Sequence, residues 1–468
     1  MSELLKSSLC ELARAISERR LSPVELMQET LQRIRSTDGH LGAFVALREE
    51  TDLLPRARAA GERIAHGRAR PLEGIPLAVK DLEDAAGLPT SHGSIAFRDH
   101  RPARSSVQVE RLEAAGAIVV GKTNAPEFGY TAITKNLLFP ETRNPWDLAR
   151  TPGGSSGGSA AAIAAGLVPM VTASDGGGSI RIPASFTGCF GLKPSYGRVP
   201  HEGGELWVMD DTSVVGPLTR SVEDAALQLD CSVGAHPLDP NSLPHPGFPY
   251  RGVLEELPAR LRCCWSPDLG YAVVQDDIAE VALAAARVFE DLGHRFEELD
   301  EAAPELGIEW GIVGAFELRA RLGRLLEERS GDFGRAFLRG LELGRHVTPE
   351  LWGRMRRRRE DLNRWCAQVF ERCDLLLTPT LPVDPPLARG PLPTEWQGRK
   401  LPVSGVASFT IPFNLSWHPA ATVRAGFSRA GLPVGLQIVA PRHRDDLVLQ
   451  AARAFERERP WARSWPRI

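Results

Sequence analysis

Two short loops hold the residues best suited to chemistry. The first runs from Thr151 to Ser159, is built of glycine and serine around Ser155 and Ser156, and leads straight into the small apolar stretch Ala160 to Ala165. The second runs from Asp175 to Pro183 and carries Gly176, Gly177, Gly178, Ser179 and Arg181. Successive glycines let a backbone approach another group closely and adopt positive φ. Consecutive N–H groups in such a loop can converge on one developing anion, as an oxyanion hole requires, with the serine behind them placed as a nucleophile. A serine needs a base, and Lys80 is the candidate. It follows the apolar run Ile75 to Val79 and precedes Asp81. Desolvation disfavours the ammonium form, so a buried lysine can act as a neutral base near neutral pH. A strand-end lysine paired with an acid fits the same residues.

These loops need a frame. Leu9, Leu12 and Ile16 share one face of an amphipathic helix. Ser22-Pro23-Val24-Glu25 opens a second helix, with Ser22 as N-cap, Pro23 in the first turn and Glu25 closing a capping box. From Ile75 to about residue 234, helices alternate with short apolar strands. The strand ending at Lys80, a helix from Ser106 to Ala115, a strand from Ala117 to Val120 and a buried helix from Ser159 to Ala165 follow in order. That alternation predicts an α/β fold whose sheet is covered on both faces. Residues from about 251 to 372 are helix-rich. Strands return at Leu375 to Thr378 and Val434 to Val439, and a closing helix spans Asp446 to Glu458.

Composition narrows the function. Among 468 residues, Lys+Arg 56 against Asp+Glu 59 gives a net charge of −3, which argues against a mainly electrostatic nucleic-acid or membrane binder. The basic run Arg354 to Arg359 is followed at once by Glu360 and Asp361 and reads as a solvated helix face. Seven cysteines, with no CxxC spacing, suggest neither a disulfide scaffold nor a zinc site. No metal and no cofactor is expected. Met1 to Leu21 has no apolar core of a secretory signal, and the apolar stretch Ala160 to Val171 is too short to span a bilayer, so the expectation is a cytoplasmic protein.

Two familiar patterns fail. Gly116 to Thr123 spells a Walker A loop, but a helix precedes it and its variable positions are Ala-Ile-Val-Val, a strand. Gly154 to Gly158 spells a nucleophile elbow, but Trp146 to Gly153 is a loop rather than the strand that the elbow needs.

Taken together, the motifs resemble the amidase signature family of serine hydrolases. The resemblance runs through Gly74 to Asp81, Gly121 to Gly129, Arg143 to Asp147, Thr151 to Ala162, Asp175 to Pro183 and Gly188 to Pro194. It continues in Gly216 to Asp224, Pro412 to Leu415 and Gly431 to Val439, covering nearly the whole chain. It implies one amidase signature domain over 1–468, a large twisted mixed β-sheet core with helices on both faces, a motif-bearing core at 65–235 and a variable helical region at about 240–370 that shapes the pocket. The pieces after Thr123 look more like the stand-alone amidases than the subunit that amidates glutamyl-tRNA.

By the same resemblance the catalytic set is Ser-cisSer-Lys. Ser179 is the nucleophile, Ser155 the bridging serine on a cis Gly154–Ser155 bond, and Lys80 the base. The N–H groups of Gly176, Gly177, Gly178 and Ser179 form the oxyanion hole, and Ser156, Asp175 and Arg181 support the loops. Gly129 and Tyr130 border the acyl pocket; Trp207, Trp310, Phe316 and Trp417 are candidate pocket aromatics only, and ordinary core packing accounts better for each. One departure is Gly176, where the family usually carries a bulkier residue. The implied activity is hydrolysis of aryl or acyl amides through an acyl-enzyme, with ester and carbamate (urethane) cleavage by the same machinery. The partner is then a small-molecule substrate, without nucleic acid or membrane, for a monomer or homodimer. A glutamine-hydrolysing subunit of an amidotransferase is the alternative.

Overall fold

A computed structural model describes residues 3–202, 209, 211–461 and 464–468. Behind a one-turn helix at Glu3–Lys6 come the two amphipathic helices, Leu9–Ser17 and Pro23–Leu41. The capping box sits one helix earlier than the sequence suggests. Ser8 and Glu11 cap each other reciprocally, while Ser22 Oγ accepts only from Val24 N, at 3.2 Å.

A four-stranded sheet orders its strands Phe44–Leu47, Ile118–Thr123, Pro76–Lys80 and Met170–Val171. Pro76–Lys80 runs parallel to both neighbours and is buried along its whole length. Successive side chains of a strand point to opposite faces. Leu77 and Val79 therefore pack with Leu9, Leu12 and Ile16. Ala78 packs on the other face against Ala160 to Ala165. The same period sends Lys80 to the face of Ala78, toward the start of the helix Gly157–Ala164 and the serines just before it. The Walker-like stretch is the strand Ile118–Thr123, and its Lys122 is buried against Asp81 and Thr90.

The large mixed sheet has seven strands. Arg295–Glu298, Arg262–Trp265 and Leu375–Pro379 are parallel, and Pro433–Val439, Ala420–Phe427, Phe190–Lys193 and Leu218–Thr219 continue it antiparallel. Leu375, Leu377, Leu436 and Ile438 point to one face, shared with helices Val222–Asp230, Asp276–Ala286 and Asp445–Glu458. Leu376 and Val439 point to the other, with helices Arg181–Thr187 and Pro349–Arg372. Both faces are covered, as the alternation of helix and strand predicts. A separate ribbon pairs Ala173–Asp175 with Val214–Gly216. Of the basic run, Arg358 and Arg359 are answered by Glu309 and Asp211.

Cys264 and Cys373 form a disulfide that their spacing does not announce. Both cysteines lie with Leu376 on the same face of the sheet, their Cα atoms 5.9 Å apart. Among the described residues Cys10, Cys189, Cys231, Cys263 and Cys366 are unpaired.

Candidate active site

Lys80 is fully buried, and no carboxylate among the described residues forms an ion pair with it; the adjacent Asp81 pairs with Lys122 instead, at 3.6 Å. Lys80 Nζ donates to two hydroxyls, Ser155 Oγ at 2.8 Å and Ser174 Oγ at 2.8 Å. Its backbone is held by Lys80 N donating to Thr172 Oγ1 at 3.0 Å. Burial pushes the ammonium down to about 7, against the charges of Glu83 and Asp175 that hold it up. The side chain therefore has a substantial neutral fraction near neutral pH, as a base needs.

Ser155 follows a cis peptide bond from Gly154. Ser156 stands just before the next helix, and its side chain reaches across to the ribbon instead of capping: its Oγ donates to Ser174 O at 3.3 Å and accepts from Ser174 N at 3.4 Å. Ser156 N also donates to Ser179 O at 3.2 Å, which ties the two loops together. Ser174 is the member of this network that sequence reasoning missed. It stands one residue before the Gly-rich loop, and nothing in its own neighbourhood distinguishes it from an ordinary strand serine.

Asp175 and Arg181 shape the second loop. Both side chains are wholly buried and meet twice, through Arg181 Nη2 to Asp175 Oδ1 at 2.9 Å and Arg181 Nε to Oδ2 at 3.0 Å. Asp175 also accepts from Gly178 N at 2.7 Å and Ile180 N at 3.1 Å. Burial alone would raise its carboxyl, but Arg181, Asn414 and Lys193 outweigh it and hold the group down to about 2. Arg181 is completed by Gln437 Oε1 at 2.8 Å and Asn414 Oδ1 at 2.6 Å.

The loop carbonyls are gripped from outside. Trp310 Nε1 donates to Gly176 O at 2.8 Å, and Thr410 Oγ1 to Gly177 O at 2.7 Å. In a trans peptide the following N–H points away from the carbonyl. The Gly178 N–H is thereby turned onto Asp175, and the Gly177 N–H is turned away from Trp310. A Cβ on Gly177 would lie 2.4 Å from the Trp310 ring, and one on Gly176 2.7 Å from Ser213 Oγ. Ser213 Oγ occupies the space beside Gly176 that a side chain would need.

Ser155, Ser174 and Ser179 border one cavity of about 550 Å³, and Ser179 is half-buried there. Ser179 Oγ makes no hydrogen bond among the described residues, so its link to Ser155 is open in this geometry. Gly129 and Tyr130 line the same cavity. Gly129 has φ +71°, and a Cβ there would sit 3.2 Å from Ser155 Oγ. Of the aromatic candidates Trp310 lines the cavity, while Phe316 lies tilted against Trp352 and Trp417 stacks on Tyr196 elsewhere. Trp207 lies outside the described residues. Helix Gly307–Leu322 supplies Ile308, Gly311, Gly314 and Leu318 to the wall. No Asp, Glu, Lys or Arg is among the described lining residues.

The chain is similar to known proteins over nearly its whole length. The family model described as Amidase matches residues 25–449. An acylamidase of Rhodococcus erythropolis is 35% identical over 467 residues, covering 98% of this chain and 97% of its own. The A subunit of the glutamyl-tRNA(Gln) amidotransferase of Alkaliphilus metalliredigens (strain QYMF) is 32% identical, covering 96% of both chains. A solved structure of a bacterial aryl acylamidase belonging to the amidase signature enzymes superposes with a TM-score of 0.92 at 30% identity, over 98% of each chain.

Proposed function

The chain belongs to the amidase family of hydrolases, and from that premise we propose that it cleaves acyl amides of apolar, chiefly aryl, amines by a Ser-cisSer-Lys mechanism. The observation that carries this reading is the buried Lys80 donating to Ser155 at the edge of an apolar cavity that Ser179 also borders. Neutral Lys80 takes the Ser155 proton as Ser155 takes that of Ser179, and Ser179 Oγ attacks the carbonyl carbon. With Gly178 N–H committed to Asp175, the oxyanion is held by Gly176, Gly177 and Ser179; removing one such donor typically costs about 3–4 kcal/mol of transition-state stabilisation. The proton returns through Ser155 to the leaving amine, which is too basic to depart unprotonated. Water then hydrolyses the acyl-enzyme. Esters and aryl carbamates fit the same sequence of steps.

The similarity to the A subunits of amidotransferases favours a second reading, glutamine hydrolysis. The cavity lining argues for the first. Glutamine carries an α-ammonium and an α-carboxylate, and burying unpaired charges is costly. The described lining offers no charged partner for either.

The test is a panel of an aryl anilide, an aryl ester, an aryl carbamate and glutamine, run on wild type and Ser179→Ala. The anilide, ester and carbamate should turn over, with an acyl adduct on Ser179 seen by mass spectrometry. All activity should fall by roughly 10³-fold or more in the variant. Turnover of glutamine alone would replace this reading with the second; near wild-type turnover by Ser179→Ala would refute the mechanism.

A further inference from the structure

Glu83 lies three residues beyond Lys80 in the turn that leaves the strand, and its N–H donates to Lys80 O at 2.9 Å. It is only 3% exposed, and neither carboxyl oxygen has a hydrogen-bond partner among the described residues. The Thr172 hydroxyl lies close to it but outside hydrogen-bonding geometry. A buried carboxyl left without partners costs stability. Its backbone is nonetheless fixed, since Lys122 Nζ donates to Glu83 O.

Glu83 also lines a second cavity of about 530 Å³, and among the described residues only Leu82 and His92 border both this cavity and the one at Ser155. Orphaned polar atoms gather there: besides Glu83, Asp84 Oδ1, Ser106 Oγ and both amide atoms of Gln108 lack partners among the described residues. The charged and titratable groups around Glu83 come from every side. Lys80 and Lys122 stand on the two strands, Asp81 and Asp84 in the turn and Asp175 on the ribbon. His92, His100, His201, Glu202 and Arg321 stand around the cavity.

We propose that Glu83 is a positioning residue for the base, its buried and unpartnered carboxylate standing in the turn bonded to Lys80 and stabilising the ammonium formed as Ser179 attacks. The proposal rests on Lys80 being the base. Balance is simple. The proton leaves Ser179 Oγ for Ser155 and Ser155 Oγ for Lys80 Nζ, which becomes cationic beside an anionic Glu83. On collapse it returns by the same path to the leaving group. Burial raises the Glu83 carboxyl, Lys80 draws it down, and the balance leaves it at about 7. The Glu83 charge raises Lys80 in turn. A neutral residue at 83 therefore lowers the pH at which Lys80 loses its proton.

The experiment follows the rate at which a fluorophosphonate labels Ser179, as a function of pH. In that reaction a P–O bond forms to Ser179 Oγ, fluoride leaves, and the proton passes to Lys80. Wild type, Lys80→Ala, Glu83→Gln, Glu83→Leu and Glu83→Asp are compared. Wild type should lose labelling as pH falls through about 7. In Glu83→Gln or Glu83→Leu, whichever folds, that acid limb should move to lower pH by about one unit, while Glu83→Asp keeps the wild-type limb. Lys80→Ala should label far more slowly at every pH near neutrality. An unmoved limb in the neutral variants, with Lys80→Ala slow, overturns the role of Glu83 and leaves the base assignment standing. Normal labelling of Lys80→Ala overturns the base assignment and the proposal with it.

Discussion

Trp310 joins two tasks in one side chain. Its ring walls the cavity and packs where a Gly177 Cβ would be, while its Nε1–H fixes the Gly176 carbonyl and so the direction of the Gly177 N–H. Trp310→Phe keeps an aromatic ring in the wall and removes the hydrogen bond, together with part of the ring packed at Gly177. A hydrogen bond of this kind is worth about 0.5–1.5 kcal/mol net. If its role is to aim an oxyanion donor, the loss belongs to the transition state. The expected result is a kcat reduced roughly threefold to tenfold on an aryl anilide, with KM little changed. Steady-state kinetics on that substrate decide it; a raised KM at constant kcat would assign Trp310 to substrate packing alone.

At the scale of the element, the loop Asp175 to Arg181 is a small machine for keeping a backbone in an unusual shape. Gly178 has φ +131°, and the Asp175 carboxylate collects the N–H groups that the turn leaves inside. Arg181 balances that charge from the first turn of its helix, and Gln437 reaches it from the central strand Pro433–Val439. Removing one partner of such a buried pair leaves the other uncompensated, so Arg181→Met should destabilise the fold by about 3–5 kcal/mol, read from chemical denaturation. The sign of its pH dependence is fixed by Asp175. Its folded carboxyl sits near 2, below the ordinary 3.8, so its stabilisation is complete above the ordinary value and is lost as pH falls toward 2. Wild type should lose stability over that window. In Arg181→Met the carboxyl loses its main counter-charge and burial raises it, so the loss over this window should shrink, and it reverses where the folded carboxyl rises above the ordinary value.

The same loop shows what a sequence exposes and what it hides. The glycines, Ser179, and the pairing of Asp175 with Arg181 are legible because they lie within a few residues of one another. Lys80 is legible because an apolar strand ends on it. Gln437 and Asn414 are not, since their roles arise only when distant segments meet around Arg181. Ser174 and Glu83 stay hidden for a different reason. A serine in a strand and a glutamate in an acidic turn are ordinary until the fold buries them near a lysine. The strand Ala420–Phe427 escaped because Ala-Ala-Thr-Val carries no alternation: buried on both faces, it has no polar side to mark its period.

Across the whole molecule, the bonds that the proposed chemistry uses and the walls of the cavity come largely from different stretches of chain. Lys80, Ser155, Ser174 and Ser179 are tied to strands and short loops before residue 182, whereas helix Gly307–Leu322 and the segment from Leu392 to Ile411 enclose much of the cavity. Such a division predicts that specificity can be altered without touching the proton path. Gly311 is the place to do it. It lies mid-helix, lines the cavity, and a Cβ there would meet only Leu343 Cδ1, at 3.8 Å. A helical glycine costs about 0.5–1 kcal/mol relative to alanine. Gly311→Ala should therefore raise the melting temperature slightly and leave turnover of a small anilide unchanged. Gly311→Leu places a branched side chain into the cavity. It should raise KM about tenfold or more for a bulky aryl amide, through lost binding volume, and spare a short-chain substrate that does not reach the helix. Fluorophosphonate labelling of Ser179 should keep its wild-type rate and pH profile in both variants. Equal losses on large and small amides would mean that the helix acts on the Gly-rich loop through Trp310, so that the wall and the chemistry are one coupled unit.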